Sequence, residues 1–221
     1  MELIFNNQFS IFEDIFYTYL TPKQCVKLYS CNKILYNIYI NNNKFEINYF
    51  TPKDRTELKN AVNEWCSNKE EAIIKYGNLG YWNTIYIVNM GYLFYTNKKE
   101  FNDNIEDWNT SNVIDMSGMF YNALSFNQPL NNWNTSNVIY MQFMFYNNEN
   151  FNQNLNNWNI SNVTHMHHMF YNAVSFNQLI NDWNISNVQT MYCMFYNVIS
   201  FNPDNYKNWD LTNVQVKYLD K

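Results

Sequence analysis

A chain of 221 residues with 47% hydrophobic, 19% aromatic and 15% charged residues has the apolar surface to build a core, and it is not a disordered polymer even though asparagine makes up about a fifth of it. The net charge of -5 is unevenly spread: no lysine or arginine lies between Asn109 and Tyr206, which excludes nucleic-acid binding by that stretch, because phosphate contacts need cations. Cys25, Cys31, Cys66 and Cys193 show neither zinc spacing nor the density of a disulfide scaffold, no apolar run reaches the roughly 18 to 20 residues of a membrane span, and the N-terminus carries Glu2, Glu13 and Asp14 without a basic flank, so an intracellular protein without membrane partners is expected.

Residues 1–50 form the first predicted unit. Apolar residues fall at helical spacing from Ile11 to Ile38, broken by Thr21-Pro22, where Thr21 can cap a second helix with Pro22 at its first position. The order YLTPKQCVKLYSCNKILYNI, from Tyr19 to Ile38, resembles an F-box, with Leu20, Pro22, Val26, Leu28, Cys31 and Lys33 in register. That resemblance implies a small all-α head whose Ile11, Ile15, Leu20, Pro22, Val26 and Leu28 bind the adaptor subunit of a cullin-type ubiquitin ligase. The alternative is a helical cap with no such role.

After the polar break Asn41-Asn42-Asn43 and a short extended connector, Phe45 to Phe50, residues 51–77 predict a helix pair. Leu58, Ala61, Val62 and Trp65 make one apolar stripe on a helix from Thr51 to Trp65. Ser67 and Glu70 form a capping box for a second helix, Lys69 to Tyr76, and Gly77 stands where a helix-ending left-handed residue belongs. Such a pair is suited to cover the exposed end of a repeat array.

From residue 78 to 221 the chain repeats itself. Tryptophans at 82, 108, 133, 158, 183 and 209 are spaced 26, 25, 25, 25 and 26 residues apart, a period that marks a stacked repeat architecture. Val113, Met116, Met119, Phe120, Ala123, Phe126, Leu130 and Trp133 are the apolar positions of one repeat, and nine of the ten methionines occupy the two methionine columns. Methionine at these places is a core filler. The expected coil has a short helical turn near Met-x-x-Met-Phe and an extended piece near Leu130 to Trp133. Asparagines before the valine (Asn112, Asn137, Asn162, Asn187, Asn213) and after the second phenylalanine (Asn102, Asn127, Asn152, Asn177, Asn202) are expected to bond coil to coil.

The pattern W-N-T-S-N-V-x-x-M-x-x-M-F-x-N-A-x-x-F-N-Q-x-L, with its lead-in ELKNAVNEWCSNKEEAIIKYG, resembles the BspA-like leucine-rich-repeat family, known from bacterial surface proteins, mycoplasma lipoproteins, protists and giant viruses. The resemblance implies an α/β fold: a leucine-rich-repeat-like solenoid of about five to six 25-residue coils, preceded by the all-α head and the helical cap. It also implies binding of proteins, as characterised relatives do. An adaptor-binding head on a repeat reader is similar to proteins that feed ubiquitin ligases, here in a host cytoplasm if the source is viral.

No phosphate loop, nucleophile motif or paired acids interrupt the repeat, so no enzyme activity, catalytic residue, cofactor or small-molecule substrate is expected. His165, His167 and His168 are the only concentrated titratable group. Imidazoles at that spacing can ligate zinc or copper, and stacking of columns would set His168 beside Cys193, but no carboxylate stands next to them in sequence and no metal is expected. Four columns vary between repeats, and Tyr140, Phe143, His165, His167, His168 and Tyr192 on them are the candidate contacts with an unknown protein target. The competing expectation is a surface adhesin or structural repeat scaffold.

Overall fold

The computed structural model describes residues 50–95, 100–212 and 214, so the head, with Ile11, Ile15, Leu20, Pro22, Val26 and Leu28, lies outside the described residues. Helix α1 (Arg55–Ser67) starts at Asp54, whose carboxylate accepts the Glu57 N–H at 2.9 Å while the Glu57 carboxylate accepts the Lys53 N–H at 2.9 Å. Two otherwise orphan donors are satisfied by this exchange. The buried face is Leu58, Ala61, Val62 and Trp65. Helix α2 (Lys69–Tyr76) is capped by Asn68, not Ser67: Asn68 Oδ1 accepts the Glu71 N–H at 3.3 Å. Ser67 is spent on the last turn of α1, where its Oγ donates to the Glu64 carbonyl at 3.1 Å. Gly77 ends α2 at φ 72, a value that a residue with a side chain adopts only under strain.

The α/β leucine-rich-repeat-like solenoid expected from the sequence does not form. Among the described residues there is no strand, and the only helices are α1, α2 and the short 3-10 turns Leu79–Tyr81 and Pro203–Tyr206. The helical turn expected at Met-x-x-Met-Phe is a run of tight turns, and Leu130 to Trp133 is a corner closed by the Trp133 N–H on the Leu130 carbonyl at 3.2 Å. Extended backbone sits elsewhere, just before the first methionine, as isolated parallel bridges Asn89–Asp115, Asp115–Tyr140, Tyr140–His165 and His165–Thr190.

The physical reason lies in where successive N–H groups go. Met116, Gly118, Phe120 and Asn122 donate to carbonyls of the next coil (Tyr140, Gln142, Met144, Tyr146) at 2.8–2.9 Å. Between them, Met119, Tyr121 and Ala123 donate three residues back, to Met116, Gly118 and Phe120, at 3.0–3.2 Å. Alternate donors thus bind along the stack and close local turns, which is neither a helix nor a strand ladder. Two backbone positions per coil must turn left-handed to permit it: Tyr92, Gly118, Phe143, His168 and Cys193 have φ of 53–61°, and Asn122, Asn147, Asn172 and Asn197 have φ of 54–59°. Asparagine tolerates this region best after glycine.

Side chains repeat the ladder inside and outside. Trp108, Trp133, Trp158, Trp183 and Trp209 are buried, and each Nε1–H donates to a backbone carbonyl one coil back (Leu79, Ile105, Leu130, Leu155, Ile180) at 2.8–3.1 Å. Phe94, Phe120, Phe145, Phe170 and Phe195 stack at 5.4–5.8 Å, nearly parallel. On the surface, Asn112, Asn137, Asn162 and Asn187 donate to the carbonyls of Ile85, Ser111, Ser136 and Ser161 at 2.7–2.8 Å. Asn102, Asn127, Asn152 and Asn177 accept the backbone N–H of the next asparagine in their column at 2.9–3.0 Å.

Among the described residues no coil precedes the first to occupy its carbonyls, and α1 supplies donors in that place. Arg55 Nη2 reaches the Gly91 carbonyl at 2.6 Å, and Lys59 Nζ reaches those of Tyr92 and Leu93 at 2.7 and 2.8 Å. Near the other end, Tyr206 stacks on Phe195 and Phe201, and buried Asn205 donates to Asn177 Oδ1 at 2.9 Å.

Candidate interaction face

The four varying columns follow one another along the short stretch between the repeated valine position and the second methionine, so the parallel bridges set them side by side on one face. Running down the stack they read Val88, Ile114, Ile139, Thr164, Gln189; Asn89, Asp115, Tyr140, His165, Thr190; Gly91, Ser117, Gln142, His167, Tyr192; and Tyr92, Gly118, Phe143, His168, Cys193. The last column is the left-handed one.

Phe143, His167, His168 and Tyr192 form a four-ring block. His168 stacks on Phe143 (centroids 5.0 Å, planes 14° apart) and meets Tyr192 edge-on at 4.9 Å, while His167 stacks on Tyr192 (4.8 Å, 4°) and meets Phe143 edge-on at 5.0 Å. Each ring is therefore stacked with one neighbour and edge-on to another, a packing that suits aromatic quadrupoles. Beside the block runs a column of parallel tyrosines, Tyr121, Tyr146, Tyr171 and Tyr196, at 4.5–4.7 Å. Tyr140 is exposed and pairs with His165 at 5.5 Å. All six candidate contacts thus lie in or beside one aromatic cluster, with Phe143, His165, His167, His168 and Tyr192 half-buried.

Burial, and then the neighbouring His168 and His165, pushes the His167 imidazole down from 6.5 to about 4, and burial lowers His168 as well. Both rings are neutral at neutral pH. Burial also raises the phenols of Tyr121, Tyr146 and Tyr171. The cluster is polar at its edges and apolar in its bulk: His165 Nδ1 pairs with Thr164 Oγ1 at 2.7 Å, His167 Nδ1 with Thr190 Oγ1 at 3.3 Å, and His168 Nδ1 is buried without a partner. Among the described residues no three histidine, cysteine or acidic side chains converge as metal ligands, and no helix is long and apolar enough to cross a membrane.

Two features escaped sequence reasoning. The left-handed column carries Phe143, His168 and Cys193, residues that do not advertise such a conformation, and its only sequence signal is Gly118, the last glycine in the chain. A built Cβ at Gly118 would fall 2.3 Å from the Tyr92 ring, which lies over it. The second is the exposed apolar strip Tyr86, Val88 and Ile114, hidden among residues that read as ordinary repeat positions.

No curated protein and no solved structure matches the chain. One family model does, described as Mycoplasma protein of unknown function, DUF285, and it matches residues 56–178 and again residues 130–218. The overlap of the two matches is what a repeating sequence produces, since one coil can be laid on another. Together they run from the first turn of α1 through nearly all of the coils, well over half of the chain, and the protein belongs to this BspA-like repeat family, DUF285.

Proposed function

We propose that this chain is a non-enzymatic protein–protein interaction protein of the cell interior, an F-box-type substrate receptor whose residues 11–38 recruit the adaptor of a cullin-type ubiquitin ligase and whose coils read a protein target. The observation that carries the reading is the division of labour between columns. Tryptophan, methionine, phenylalanine and asparagine rows hold the stack, while one face changes from coil to coil around Tyr140, Phe143, His167 and Tyr192 without disturbing it. Aromatic groups with little charge are the usual anchors of protein interfaces. The F-box resemblance of Tyr19 to Ile38 supports the adaptor half.

A second reading, a surface adhesin or structural scaffold with the N-terminal helices as a cap, is favoured by the family match, which begins at residue 56 and leaves the head unmatched. Calorimetric titration of the full chain with a purified adaptor separates the two. Saturable binding, weakened about tenfold or more by Leu20→Asp at unchanged melting temperature, is the expected result. Absence of binding at roughly tens of micromolar removes the ligase half and leaves the scaffold.

A further inference from the structure

The first coil keeps an edge that interior coils have used. In each later coil, the two N–H groups before the first methionine share one carbonyl of the coil above: Ile114 and Asp115 donate to Val88 O at 2.8 and 3.3 Å, and Ile139 and Tyr140 to Ile114 O at 2.9 and 3.3 Å. The matching donors of the first coil are the N–H groups of Val88 and Asn89, and among the described residues no hydrogen bond engages them. Helix α1 does not close this gap. Its Arg55 and Lys59 serve the carbonyls of Gly91, Tyr92 and Leu93, further along the coil, and Arg55 Nε serves the Asn89 side chain at 3.1 Å.

The side chains around the gap are apolar and exposed. Tyr86 is 65% exposed, Val88 48% and Ile114 38%, with half-buried Ile139 next in the column. Beyond it the same column turns polar, as Thr164 and Gln189. The apolar surface therefore starts at the open donors and runs on into the next two coils before the column turns polar. The charges beside it are Arg55, which makes no ion pair among the described residues, and the Asp115 carboxylate, which accepts from Asn89 Nδ2 at 2.8 Å.

We propose that this end of the stack docks one extended peptide segment of a partner protein by strand addition, in the parallel sense of the array's own bridges. A carbonyl of the segment accepts from Val88 and Asn89, and a following N–H donates to the Asn89 carbonyl as Met90 N–H donates to Asp115 O at 2.8 Å. Alternate apolar side chains of the segment cover Val88, Ile114 and Tyr86, and a carboxylate faces Arg55. The proposal rests on the protein-interaction reading and adds to the ring cluster a second contact, at the open end.

A displayed library of random linear peptides, selected on the full chain, tests it. Selected peptides should alternate apolar and polar residues, carry an acidic residue, and lack proline at the pairing positions, since proline has no N–H to donate. Binding of one such peptide should slow hydrogen exchange at the Val88 and Asn89 amides. The double variant V88Q/I114T, which copies the residues of the later coils and should fold unchanged, should weaken binding about tenfold or more. Ile199→Ser, near the other end of the array where Ile199 is 79% exposed, should leave it unaffected. Peptides without the pattern, unchanged exchange at Val88 and Asn89, or full affinity in the double variant overturns strand docking. Peptides whose binding is lost in His167→Ala but kept in V88Q/I114T overturn it while sparing the interaction reading. Failure to select any peptide removes strand docking, and the adaptor titration then decides the wider reading separately.

Discussion

The indole of Trp158 is 3% exposed, packs parallel to Trp133 at 6.4 Å and gives its N–H to the Leu130 carbonyl at 3.0 Å. Its packing and its hydrogen bond can be separated by substitution. Trp158→Ala should cost about 3–5 kcal/mol through lost burial and a cavity, whereas Trp158→Phe keeps most of the packing and should cost about 0.5–1.5 kcal/mol, because the Leu130 carbonyl loses the indole donor but keeps the Trp133 N–H at 3.2 Å. Urea unfolding of both variants measures the difference, and unchanged stability in Trp158→Phe would show that the indole N–H contributes nothing. The histidines give a pH dependence of definite sign. His167 titrates near 4 in the folded protein against 6.5 when free, and His168 is lowered too. A depressed imidazole contributes stability above its unfolded value and loses it as pH falls from about 6.5 to about 4. Phe143, Tyr146, His165, Tyr171, Thr190 and Tyr192 pack on the pair, with no acidic group among them to offset a gained charge. Melting temperature should therefore drop between pH 7 and pH 5, and His167→Gln should flatten that drop.

Among elements, α1 couples the helical lead-in to the coils through its caps at both levels. Asp54→Ala removes the N-cap acceptor and should cost about 0.5–2 kcal/mol. Lys59→Met should leave helix packing intact but raise hydrogen exchange in the first coil, because the carbonyls of Tyr92 and Leu93 lose a charged donor. Faster exchange spread evenly over all coils would argue against a local cap. The helices themselves were legible, since the stripe Leu58, Ala61, Val62, Trp65 has a 3.6-residue period, but the first runs from Arg55 to Ser67 instead of Thr51 to Trp65, and the Ser67 capping box was misplaced by one residue. Repeat length was equally plain in the tryptophan spacing. The type of structure inside a coil was not, because a backbone whose donors alternate between a local turn and the next coil has no hydrophobic period of its own. Spacings of three and four at Val113, Met116, Met119 and Phe120 imitate a helix, yet they mark corners of turns. For the same reason the varying columns could be picked out while their geometry could not: nothing in Phe143, His167, His168 and Tyr192 announces that their rings stack in pairs and meet edge-on.

At the scale of the whole molecule, every coil contacts its neighbours in the same register, which makes the array quasi-one-dimensional. Deleting residues 133–157 joins Asn132 to Trp158 and removes one full period. Met116 N–H then meets the His165 carbonyl in place of Tyr140, Trp158 Nε1 meets Ile105 O in place of Trp133, and Phe120 faces Phe170, so each ladder closes again with an equivalent residue. The shortened chain should fold, keep its tryptophans buried and unfold cooperatively at a lower temperature, having lost one interface between coils. Deleting only residues 133–144 removes about half a period and brings Phe145 to the tryptophan corner, where neither the indole donor nor the ring stack can be restored. That variant should show no cooperative melt and a red-shifted tryptophan emission. If both deletions melt alike, stability does not reside in coil-to-coil register, and the alternating hydrogen-bond scheme is not what holds the array.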